Sequence, residues 1–179
     1  TAAPALETLG LCKSYDGRVL ALDSLNLSVA RGTIFGFLGP NGAGKSPTIR
    51  LLMDLIRPTS GSARVLGLDC QADPVGVKSL VGYLPGEPSV YTNYSANQLV
   101  SLISSLRPGR VDEGFVSQLC ERLAITRQIP VGQMSHGNRQ KVGLLGALAS
   151  QPPLVILDEP TNGLDPLILS LIHISEPTR

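Results

Sequence analysis

Eight consecutive residues, Gly39-Pro40-Asn41-Gly42-Ala43-Gly44-Lys45-Ser46, have the types and spacing needed to hold a phosphate chain, G-x-x-x-x-G-K-S. Glycines let the backbone turn so that successive N–H groups point at one anion. A helix that starts at the loop adds partial positive charge. In such a loop Lys45 reaches the β- and γ-phosphates and Ser46 ligates Mg²⁺. The competing reading is a glycine turn ahead of a core helix.

A second stretch, Leu154-Val155-Ile156-Leu157-Asp158-Glu159-Pro160, is an apolar run ending in two acids. Beside a phosphate loop, the first acid supports Mg²⁺ and the second orients and activates an attacking water. Taken alone, the pair is also what a helix-start cap looks like. A third stretch lies between them: Met134-Ser135-His136-Gly137-Asn138-Arg139-Gln140-Lys141.

With all three in this order and at this spacing, the chain resembles the ATP-binding subunit of ATP-binding cassette (ABC) transporters. The resemblance covers about residues 5–168. It implies an α/β fold: a P-loop NTPase core with a mainly parallel sheet, an N-terminal antiparallel β subdomain and an inserted α-helical subdomain at about 93–135. Gly39 to Ser46 then form Walker A, Asp158 closes Walker B, and Glu159 is the catalytic carboxylate. Tyr15 matches the aromatic that stacks on adenine, against the alternative of an edge-strand tyrosine. Ser135, Gly137 and Asn138 match the signature motif, which faces the γ-phosphate of ATP bound by a second subunit. Asp165, in Gly163-Leu164-Asp165, matches the D-loop. The implied cofactors are ATP and Mg²⁺. The implied partners are a second cassette subunit, identical or not, and a transmembrane permease, with the chain peripheral at the cytoplasmic face of the cell membrane.

The chain departs from the family at several points. P-loop proteins usually place Thr or Ser after the loop, where its N–H and hydroxyl hold the α-phosphate, but here the residue is Pro47. Proline is accepted in a first helical turn. Either it is merely tolerated, or it weakens nucleotide affinity by about 1–3 kcal/mol through the lost donor. The signature carries His136 where glycine is usual, a tolerated variant or a pH-sensitive contact. The family's Q-loop glutamine falls near Gly86, and the next residue, Glu87, is either a substitute Mg²⁺-side ligand or a solvated turn acid. The GEP form of this stretch is similar to drug- and antibiotic-exporter ATPases. Beyond Pro166 the family likeness stops, and residues 169–179 match the translation of a transposase-type sequencing adaptor. On that expectation His173 is not the switch histidine and the natural frame is cut short; the alternative is a natural divergent tail.

The elements that must position these motifs are legible in outline. Ala5–Leu11 and Leu20–Val29 read as strands punctuated by Gly17 and Gly32. Thr33–Leu38 (TIFGFL) reads as a buried strand leading into the loop. A helix follows, with Ile49, Leu52, Met53 and Ile56 on one face, ended by Pro58 and Gly61. Ser62–Leu66 and Leu80–Leu84 read as strands, with a short helix from about Pro74 between them. Residues 95–106 and 112–124 have helical spacing, separated by residues 107–110, and Asn138–Ser150 is a further helix. Leu154–Leu157 is a buried strand. Strands alternating with helices argue for an α/β core.

Composition narrows the function classes. With 15 Lys plus Arg against 14 Asp plus Glu, the chain has no basic excess to favour nucleic acid as a partner. No apolar run reaches the length of a bilayer span, and no signal peptide is read, so a membrane role works through a partner. Cys12, Cys70 and Cys120 fit no metal spacing and read as reduced thiols. The leading expectation is a transporter ATPase of an exporter. The competing ones are a soluble cassette ATPase of translation or DNA repair, and a nucleotide-binding module without turnover.

Overall fold

The computed structural model describes residues 3–17, 19–40, 42–86 and 92–159. Asn41, Glu87, Asp165 and everything from 160 onward, including the stretch read as adaptor sequence, lie outside the described residues. The chain divides into two compact units between Leu80 and Val81.

The first unit is built on an antiparallel sheet. Its strands are β1 (Leu6–Tyr15), β2 (Val19–Val29), β3 (Ser60–Val65) and β4 (Leu68–Asp69), in the order β2-β1-β3-β4. Asp16 and Gly17, both with positive φ, make the β1–β2 turn that brings Tyr15 opposite Val19. The strands outrun the expected ones because apolar alternation marks only the stretch facing the core, whereas pairing continues beyond it. Two helices complete the unit, α1 (Lys45–Leu52) and α2 (Pro74–Leu80). Helix α1 stops short of the apolar pattern: Met53 caps it with its N–H on the Ile49 carbonyl, and Asp54, at positive φ, turns the chain away. Leu11, Val65, Leu51 and Val77 fill the core. Cys70 is buried among them, and that burial pushes its thiol up to about 12, which leaves it inert at neutral pH.

One sequence expectation fails here. Thr33–Leu38 forms no strand, and Ile34, Phe35 and Leu38 are exposed, Leu38 by 92%. An extended run becomes a strand only when a neighbour takes its N–H and C=O groups. Within its own unit this run finds none.

The second unit holds the parallel pair that the fold class requires, β5 (Val81–Leu84) and β6 (Leu154–Leu157), in register from Val81–Leu154 to Leu84–Leu157. Helix α5 (His136–Leu148) packs on β5. Gly82 permits this, because a Cβ there would collide with the Ala147 carbonyl. Helices α3 (Ala96–Leu106) and α4 (Glu113–Arg122), with a 3₁₀ turn at Val131–Gln133, occupy the stretch read as a helical insertion. Their starts follow from capping chemistry. Ser95 and Gln98 exchange hydrogen bonds in a capping box, and Asp112 accepts from the Gly114 and Phe115 N–H groups. Val116, Val131, Val142 and Leu145 form the fully buried centre. Among the described residues no helix is long and apolar enough to cross a membrane.

Candidate functional site

The phosphate loop of the first unit ends on Gly44, the residue that caps α1 in a left-handed conformation (φ 83°). A Cβ on Gly44 would come within 2.9 Å of the Ala21 carbonyl oxygen and 3.0 Å of Leu22 Cδ1, so only glycine lets the loop lie against β2. Gly42 also has positive φ, at 84°. Ala43 donates to the Pro40 carbonyl at 3.1 Å, and Thr48 donates both N–H and hydroxyl to the Gly44 carbonyl at 2.9 and 2.8 Å. Lys45 Nζ folds back onto the loop and donates to the carbonyls of Gly39 (2.5 Å) and Pro40 (2.8 Å). The loop therefore carries an ammonium beside the first-turn N–H groups of Lys45 and Ser46, which have no acceptor within the helix. Pro47 occupies the third position of that turn and contributes no donor.

Tyr15 ends β1 with its ring 40% exposed. The strand pairing that places Lys13 opposite Leu22 also puts this end of β1 alongside the part of β2 that Gly44 touches. On one side of the ring lies Lys13, its Nζ 5.1 Å from the centroid.

In the second unit the acid pair follows β6 directly. Asp158 N–H donates to the Leu84 carbonyl at 2.9 Å, extending the β5–β6 pairing by one bond. Glu159 is exposed and left-handed (φ 49°), a conformation that costs a residue with a Cβ about 1–2 kcal/mol. Strain of this kind is held where surrounding structure fixes it, often at working sites. Gly86 lies beside both acids: a Cβ there would sit 3.5 Å from the Asp158 carbonyl oxygen and 3.8 Å from Glu159 Cβ.

The signature stretch opens α5. Ser135 is the N-cap, and its hydroxyl accepts from the Asn138 N–H at 3.3 Å. Ser135 and Asn138 are exposed and Gly137 is half-buried, so this helix start presents a hydroxyl and an amide side chain outward.

A family model described as ABC transporter matches residues 22–162. The chain belongs to the ABC transporter family. It is 37% identical over 164 residues to the bacitracin transport ATP-binding protein BcrA of Bacillus licheniformis, a match covering 90% of this chain and 53% of that protein. It is 36% identical over 173 residues to the daunorubicin/doxorubicin resistance ATP-binding protein DrrA of Streptomyces peucetius, covering 90% and 50%. The chain thus spans about half the length of these curated relatives. Among solved structures it is similar to the ATP-binding subunit of an ABC transporter, with a TM-score of 0.81 at 28% identity over 93% of this chain and 70% of that one. It also shares the fold of the dimeric ATP-binding cassette MJ0796 in a post-hydrolysis state with ADP and Pi, with a TM-score of 0.80 at 21% identity, covering 93% and 81%.

Within this ABC cassette fold, most of the residues picked from sequence group by unit. Gly39, Pro40, Gly42, Ala43, Gly44, Lys45 and Ser46 make one loop, with Tyr15 on the adjoining sheet. Asp158 and Glu159 cluster with Gly86, and Ser135, Gly137 and Asn138 share one helix start. Two residues that received no role from sequence reading stand out. One is Lys13, against Tyr15. The other is Gln140, 1% exposed, whose Nε2 donates to the Gly86 carbonyl at 3.1 Å while its Oε1 is buried without a partner among the described residues. A glutamine on the otherwise apolar inner face of α5, with Val142, Leu144, Leu145 and Ala147, was the available signal, because buried amides are kept for their hydrogen bonds.

Taken each within its own unit, Ser46 offers a hydroxyl and Asp158 a carboxylate, both hard oxygen ligands of the kind Mg²⁺ takes. No group of three His, Cys, Asp or Glu side chains gathers among the described residues.

Proposed function

We propose that this chain binds ATP with Mg²⁺, hydrolyses it in a sandwich dimer with a second cassette subunit, and so energises a transmembrane exporter from the cytoplasmic face of the membrane. The observation that carries the reading is the phosphate loop: a left-handed glycine capping α1 with no side-chain cap hydrogen bond, and the Lys45 ammonium already seated on loop carbonyls. Export is supported by the names of the relatives, which concern bacitracin transport and daunorubicin resistance.

On this reading Lys45 leaves the Gly39 and Pro40 carbonyls for the β- and γ-phosphates, and the Lys45 and Ser46 N–H groups hold the phosphate oxygens. Ser46 and Asp158 would each supply an oxygen ligand to Mg²⁺, and the ion would supply charge neutralisation on the phosphates. Glu159 accepts the proton of the water that attacks the γ-phosphorus. Ser135, Gly137 and Asn138 complete the other subunit's site, so binding energy at the γ-phosphate becomes closure of the dimer.

Two measurements test this. Displacement of a fluorescent nucleotide should show ATP–Mg²⁺ binding that Lys45→Ala weakens; binding indifferent to Lys45 overturns the phosphate-loop assignment. Affinity purification from the source membrane should recover a permease. Recovery of ribosomal or DNA-repair particles instead overturns the transporter reading in favour of a soluble cassette.

A further inference from the structure

We infer that Lys13 is a positioning residue for the nucleotide base, bracing one face of Tyr15 so that the other is free to stack. This rests on the reading of Tyr15 as the adenine-stacking aromatic. The Lys13 ammonium lies 5.1 Å from the Tyr15 ring centroid, within cation–π range. It does not float there: Nζ also donates to the Arg57 carbonyl at 2.8 Å. Arg57 is in turn paired with Asp54 at 3.3 Å, in the segment that leaves α1. The same segment is stitched to β1 by the Thr59 N–H on the Cys12 carbonyl and by the Ser14 N–H on the Thr59 hydroxyl, both at 2.9 Å. Lys13 thus links the exit of the phosphate-loop helix to the ring.

Two physical consequences follow. A ring held on one face has already lost part of its rotamer freedom, so a base stacking on the other face costs less ordering. The cation also draws π-electron density toward itself, which reduces the repulsion between the opposite face and the π-face of a purine. Lys13 contributes to base affinity through Tyr15, without touching the nucleotide.

The test is a binding cycle on the full chain, using ATP and, as a probe without a base, inorganic tripolyphosphate. Tyr15→Ala should weaken ATP by about 5- to 100-fold, the loss of a stacked base, and leave tripolyphosphate unchanged. Lys13→Met should weaken ATP by about 3- to 10-fold, leave tripolyphosphate unchanged, and have no further effect in a Tyr15→Ala background. Lys13→Arg, which keeps the cation, should bind ATP like the wild type. Lys13→Gln, which keeps a donor for the Arg57 carbonyl but loses the charge, should behave like Lys13→Met and guards against a folding defect in that variant. If Tyr15→Ala leaves ATP binding intact, the adenine reading itself falls. If Tyr15→Ala weakens ATP but Lys13→Met and Lys13→Gln do not, the brace alone is refuted. Equal weakening of ATP and tripolyphosphate by Lys13→Met would show the lysine acting on phosphates, which also refutes it.

Discussion

The two units handle anionic chemistry in opposite ways. On the proposed reading, the groups assigned to phosphate in the first are mostly backbone, the N–H groups of a helix start capped by a left-handed glycine, beside the charged side chain of Lys45. In the second, the groups assigned to the reaction are side chains, Asp158 and Glu159 at a strand end and Ser135 and Asn138 at a helix start. A backbone cradle selects for the shape of a polyphosphate and is indifferent to most substitutions outside its glycines. Within the carboxylate pair Glu159 is assigned to a proton, so one atom changed there should alter rate with little change in affinity. The proposed roles thus assign binding to the first unit and turnover to the second, and variants can be chosen to split the two.

The largest expected effect lies in the second unit. Glu159→Gln keeps the size and the strained backbone but cannot accept a proton, so turnover should fall by about 10²–10⁴-fold, with Kd for ATP moving less than about twofold. Rapid-mix ATPase measurement on the assembled transporter, beside equilibrium binding, separates the two quantities; a Kd that rises in step with the lost rate would break the division. Next comes Lys45→Ala in the first unit, which removes a charge-assisted donor worth about 1.5–3 kcal/mol and should raise Kd by about 10- to 150-fold. Pro47→Thr works in the other direction. It restores a first-turn N–H and a hydroxyl, and should tighten ATP by about 5- to 150-fold, the lower end being expected for a single neutral donor. Unchanged affinity in Pro47→Thr would mean that the proline is only a tolerated helix start.

What the sequence disclosed follows the same line. Chemistry written in local spacing was legible: the glycine loop, the acid pair and the Ser135–Asn138 stretch all depend on residues a few positions apart, whereas the Ser95–Gln98 capping box, equally local, went unread. Pairing was less so. Thr33–Leu38 and Leu154–Leu157 are both short apolar runs ahead of a site motif, and periodicity cannot tell them apart. Among the described residues the second meets a partner, in β5, and becomes a strand, and the first does not. Strand β4 was missed because its two residues are defined by pairing with β3 and by no pattern of their own. The Lys13–Tyr15 contact was missed because its anchor, Arg57, is brought in by the path of the chain out of α1. Gln140 meets Gly86 across 54 positions of sequence, which no local rule links.

That last contact yields the smallest prediction, and its sign needs argument. Gln140→Met removes two things at once. Losing the Nε2 donor leaves the Gly86 carbonyl short of a hydrogen bond, which costs about 1–3 kcal/mol. Losing Oε1 removes a buried acceptor that has no partner, and this offsets part of that cost. Methionine matches the volume and flexibility of the replaced side chain, so no cavity adds to the balance. The net should be a destabilisation of about 1 kcal/mol, read as a lower midpoint in urea at unchanged slope. Because Gly86 borders Asp158 and Glu159, the same variant should lower turnover a few-fold while ATP affinity holds. Gln140→Glu places a carboxylate in the same buried position and should be clearly worse than Gln140→Met. A Gln140→Met protein more stable than wild type would show that the orphan oxygen outweighs the bond, and would remove the reason for assigning this glutamine to the second unit's working end.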